Sequence, residues 1–121
     1  MYKRQAEGSA AIALSLAQED SLRERQEFAG QIRAAIEARD LAPGVRFAEA
    51  QKGDRDTLKS QLGFFAQSLA VSAKDVVTSQ PEQAERAARR HAAVLATISD
   101  IERNVQSALA LEAMIQRLRQ I

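Results

Sequence analysis

His91 is the only histidine of the chain and sits beside Arg89 and Arg90. An imidazole titrates near neutral pH, so a metal ligand, a general base or a pH sensor would be sought here first. A metal site inside a helical bundle needs a carboxylate three residues ahead of its histidine and further acids on facing helices. The residue three ahead is Ala88. His91 is therefore read as a partly buried structural residue whose ring nitrogens meet a side chain or water.

Arg86, Arg89 and Arg90, with Arg103 further on, form a small basic patch. Acids surround it and no aromatic side chain is interleaved for base stacking, so it reads as a solvated helix face rather than a nucleic-acid site. Glu49, Asp54, Asp56 and Asp75 lack the ligand spacing and glycine of a calcium loop. Asp54 and Asp56 suit helix capping and the first helical turn instead. Gly30, Gly44, Gly53 and Gly63 are isolated, so no phosphate-cradling loop is present. No serine sits in a nucleophile elbow. There is no cysteine, which excludes disulfides, thiolate metal sites and thiol nucleophiles. The expectation is a non-enzymatic chain that uses no cofactor or metal.

At 121 residues the chain is one domain or part of one. Met1-Tyr2-Lys3-Arg4-Gln5 is what GTG-TAT-AAG-AGA-CAG, a transposon-end sequencing adapter, encodes from a GTG start. Residues 1–5 are accordingly expected to be an unstructured adapter scar, with a truncated protein beginning at Ala6. Setting aside Lys3 and Arg4 leaves fifteen basic residues against sixteen acids, so the net charge moves from +1 to −1. Such balance provides no field to steer nucleic acid or an acidic membrane. Arginine outnumbers lysine thirteen to four and alanine is frequent, a coding bias expected of a bacterial genome rich in G and C.

The elements that must position these groups are helices. Two breaks, Asp40–Gly44 and Thr78–Glu82, each contain a proline, which cannot continue a helix. Ser79 and Glu82 have capping-box spacing, with Pro81 tolerated in the first turn. Three helical stretches result, about 6–39, 46–77 and 80–120. No segment alternates with period two, so no strand is expected.

The third stretch carries a seam of Ala84, Ala87, His91, Val94, Ile98, Ile101, Val105 and Ala108 at steps of three and four. Beyond Ala108 the apolar positions move to Leu111, Ile115, Leu118 and Ile121, a phase change that rotates the stripe. The second stretch has Leu58, Leu62, Phe65, Leu69, Ser72 and Val76, flanked by Phe64 and Val71. Within it, Gly53-Asp54 is a weak point where a helix can restart, with Asp54 as its cap. In the first stretch Phe28, Ile32 and Ile36 recur every four residues, whereas Gln18 and Arg25 interrupt the pattern towards the N-terminus.

Rods of this length with short connections predict an all-α, elongated antiparallel three-helix bundle, or part of a four-helix or coiled-coil assembly. The core seam is expected at Leu58, Leu62, Phe65, Leu69, Val76, Val94, Ile98, Ile101 and Val105. Phe64, Val71, Leu111, Ile115, Leu118 and Ile121 fall outside the narrow seam and are expected to form a partner surface. Ser9–Ala17 is apolar and Ala-rich. It is expected to pack on the bundle, the competing readings being an export signal or the end of a severed membrane helix.

The expected function is a helical protein–protein interaction or oligomerisation module. Its partner would be another protein or a second copy, and not a nucleic acid. A cytoplasmic location follows unless the sequence ahead of Ala6 is apolar, which would make the chain periplasmic or membrane-tethered. The third stretch is similar, in period and composition and without a motif, to signalling helices leading out of chemoreceptor sensory bundles. It is similar in the same way to the helical region ahead of diguanylate cyclase domains. That similarity implies a second reading, a severed regulatory bundle of a larger signalling protein. A third is an exported accessory protein of a secretion or conjugation system.

Overall fold

The computed structural model describes the backbone of residues 2–51 and 53–121, and side chains from Ala10 onward. Among these residues the chain is all-helical, with five helices and no strand. They are α1 (Tyr2–Glu37), α2 (Ala42–Ala50), α3 (Arg55–Val76), α4 (Pro81–Glu102) and α5 (Ser107–Gln120). α1 thus includes Tyr2–Gln5, expected from the sequence to be unstructured.

Five helices replace the three expected stretches because two of those stretches contain a break. The first lies between α2 and α3, at the weak point around Gly53-Asp54. Asp54 is the N-cap of α3, its Oδ1 accepting a hydrogen bond from the Thr57 amide at 2.6 Å, which satisfies one orphan donor of the new helix. α2 itself starts earlier than expected. The Asp40 carboxylate accepts from the Ala42 amide at 3.0 Å, and Pro43 lies in the first turn. There the fixed φ of proline favours a helix and its missing N–H costs nothing. Pro43 therefore opens a helix instead of marking only a break.

The second break separates α4 from α5. Asn104 adopts φ 68°, the left-handed region. Its amide donates to the Ile101 carbonyl and the Val105 amide donates to the Asp100 carbonyl, both at 3.1 Å. This is a Schellman closure, which satisfies carbonyls that the helix end would leave orphaned. The phase change beyond Ala108 is the sequence trace of this bend. At the start of α4, however, the expected capping box does not form. Gln80, not Ser79, is the N-cap, and it makes no side-chain capping bond.

α3 and α4 form the main antiparallel hairpin, while α1 packs on α2, α3 and α5, and α5 also packs on α2 and α4. Arg25 donates to Ser60 Oγ at 3.4 Å and Arg33 to Ser68 Oγ at 3.3 Å. Both pairs are 35 residues apart, so α1 and α3 run parallel. The expected antiparallel pairing of the first two rods is thereby corrected: short α2 makes the return, and α3 sets off again in the direction of α1.

The core is one cluster drawn from every helix, including Phe28, Ile32, Phe47, Leu62, Phe65, Val94, Ile101, Leu111, Ile115 and Leu118. Phe28 and Phe47 join α1 to α2 edge to face, with ring centroids 5.2 Å apart. Gly44 lets α2 approach α5 closely: a Cβ there would stand 2.8 Å from Ile115 Cγ2. At the far end of α5, Arg119 Nη1 donates to the carbonyls of Ala35 and Ala38, each at 2.8 Å, and to that of Ile36 at 3.4 Å. A cation thus caps the C-terminal end of α1 from a distant helix, where the helix dipole favours positive charge.

Candidate functional site

Of the six residues expected to form a partner surface, three are core. Leu111, Ile115 and Leu118 are fully buried. They lie off the α4 seam because α5 turns back at Asn104 and directs its own stripe at α1, α2 and α4. Ile121 is half-buried and packs against the core cluster. Phe64 is half-buried, with the Arg25 guanidinium 5.9 Å from its ring centroid, a cation–π geometry. Val71 remains exposed.

Of the expected seam, Leu58, Leu62, Phe65, Val94 and Ile101 are buried. Leu69, Ile98 and Val105 are partly buried against the same cluster. Val76, at the end of α3, is half-buried.

The unpartnered apolar surface lies elsewhere, on the N-terminal half of α1. Every side chain from Ala10 to Glu24 is exposed, and Ile12, Leu14, Leu16 and Leu22 are each between 46 and 64 % exposed. The first buried side chain described on α1 is Phe28. Because α1 runs parallel to α3 and Arg25 lies against Ser60, the part of this half ahead of Asp20 extends beyond the start of α3 as an arm. The part of Ser9–Ala17 whose side chains are described, Ala10–Ala17, is therefore not packed on the bundle as expected. Gln18 and Arg25, which break the apolar repeat, mark the zone where α1 leaves the core. That interruption was the available signal.

At a rate of about 100° per residue, Ala10, Leu14 and Ala17 prolong the α1 face that carries Phe28 and Ile32. Ile12 and Leu16 point to the opposite side. A helix apolar on both sides is ordinarily one buried among others. No helix among the described residues is long and apolar enough to cross a membrane.

A second apolar feature is a shallow hollow at the opposite end of the hairpin, between α3 and α4. Ala73, Val77, Pro81, Ala84 and Ala88 line it, with Lys74 and Glu85 at its margin.

The charged groups are arranged as on an ordinary helical surface. Arg89 pairs with Glu85 at 2.9 Å, and Lys59 with Asp56 at 3.4 Å. Arg90 is the exception. It borders a crevice with Arg33, Glu37 and Phe65, and its Nε is buried without a hydrogen-bond partner. Burial and then the neighbouring Arg86 push its guanidinium down from the usual value, and Glu37 opposes them. Arginine stays charged under any such shift. The Asp54 carboxyl is held below the ordinary aspartate value of 3.8, chiefly by the hydrogen bond from the Thr57 amide.

His91 is half-buried on α4. Among the described residues, no three acids or histidines come together as a metal site. No protein-family model matches the chain, and no curated protein or solved structure matches it either.

Proposed function

We propose that the chain is a non-enzymatic helical interaction module that self-associates through the α1 arm. The observation behind this reading is the exposed run of Ile12, Leu14, Leu16 and Leu22 on the part of α1 that precedes its buried residues. In proteins most helical stability comes from packing an apolar face rather than from propensity. Apolar side chains on both sides of the arm suit a position between two other helices, as in a bundle completed by a second copy. Balanced charge adds little long-range repulsion between copies.

Light scattering on the purified chain tests this reading, with the double variant Leu14→Lys/Leu16→Lys as the control. These two positions lie outside the core, so the variant is expected to keep its helical circular dichroism. The wild-type chain is expected to show a multiple of the 13.2 kDa single-chain mass, and the variant a single mass. A wild-type chain that stays at the single mass at every concentration would overturn self-association.

A further inference from the structure

We propose that the Arg103–Gln106 elbow is a hinge at which α4 and α5 straighten into one continuous helix and hand α5 to a second copy of the chain. No glycine or proline occurs after Pro81, so no residue type in the elbow forbids a helix. The stop is Asn104, whose φ of 68° is the left-handed conformation that side-chain-bearing residues tolerate poorly. Asparagine is the residue after glycine best suited to that position. The bend is tied by its two backbone bonds and by an exposed hydrogen bond from Arg55 Nη1 to Asn104 Oδ1. Both of those side chains are at the surface, where water offers alternative partners.

Beyond these ties, α5 is held by burial. Leu111, Met114, Ile115 and Leu118 are fully buried, in contact with helices α1, α2 and α4. All three precede the elbow in the chain. A second copy therefore offers α5 the same cleft, Gly44 included, and the exchanged form repeats every contact except those of the elbow. Such exchange of an identical element is a low-cost route to a dimer. Straightening releases the left-handed residue and adds helical bonds, while association costs translational and rotational freedom. The balance between the two forms is thus set by concentration and by residue 104. The three-residue step from Ala108 to Leu111 also turns the α5 stripe away from the α4 seam, so a straight helix would present that stripe to another molecule.

The hinge is independent of the arm, and its test is run in the Leu14→Lys/Leu16→Lys background, where arm association is removed. Ala92 and Gln116 are exposed, and the chain has no cysteine, so spin labels at these two positions report one pair. In the folded-back form the labels sit on adjacent helices whose axes are about 10 Å apart. Across a straight helix their backbones are about 36 Å apart. Labelled chains are diluted with unlabelled ones so that the distance is read within one chain.

Asn104→Ala is expected to double the mass and move the intrachain distance to the long value. Asn104→Gly is expected to keep the single mass and the short distance. A folded Asn104→Ala chain that retains the single mass, or doubles with the short distance, would overturn the hinge. If Asn104→Ala does not fold, the Asn104 chain refolded at high concentration must produce the long-distance dimer, and its absence overturns the proposal equally.

Discussion

Gly44 and Gly63 look alike in the sequence, yet their surroundings give opposite outcomes for one added methyl group. At Gly44 the new Cβ would meet Ile115 Cγ2, part of a branched and fully buried side chain. Gly44→Ala should therefore lower the unfolding free energy by about 1–3 kcal/mol through overpacking. At Gly63, inside α3, nothing lies within 4 Å. Gly63→Ala should raise stability by about 0.5–1 kcal/mol, because alanine costs less backbone entropy in a helix. Urea unfolding of the two variants checks both signs.

Asp54 makes a prediction in pH. Its carboxyl is depressed by the Thr57 amide, so its contribution to stability is fully present above the ordinary aspartate value and is lost as pH falls through the lower folded value. Asp54→Ala should melt below the wild-type chain at neutral pH, with the two curves converging in strong acid. A gap that persists there would contradict the cap.

Among elements, α5 shows how far packing outranks pattern. Its residues stand off the seam of α4, so on a continuous helix they would be surplus apolar surface. After the bend they fill the space between α1, α2 and α4. Ile115→Ala and Leu118→Ala should accordingly each cost about 2–5 kcal/mol by chemical denaturation, the range for emptying a fully buried aliphatic site. Val71→Ala, at a position 49 % exposed, should stay within about 0.5 kcal/mol of wild type. Equal losses at the two kinds of site would mean that α5 does not dock.

For the whole molecule, the division is between a core that begins at Phe28 and an arm that precedes it. None of the side chains from Ala10 to Leu22 is buried. Removing residues 1–22 should leave the unfolding free energy within about 0.5 kcal/mol of the full chain, while abolishing self-association if the arm mediates it. A large loss of stability would show that the arm belongs to the core.

The helical class, the restart at Asp54 and most of the hairpin seam are legible in the sequence. They follow from local rules: three-and-four spacing of apolar residues, a capping aspartate, and the absence of period-two segments. Leu58, Leu62, Phe65, Val94 and Ile101 lie where that spacing puts them. Only the tertiary structure decided which apolar residues outside the seam are covered and which are not. Leu111, Ile115 and Leu118 passed into the core through one left-handed residue, Asn104, and the phase change beyond Ala108 records a turn of the apolar stripe without saying which helices cover it. Ile12, Leu14 and Leu16 were left outside because α3 starts too far along α1 to reach them. Periodicity records that a side chain prefers burial. Whether a neighbour arrives to bury it depends on the direction and length of segments distant in the chain.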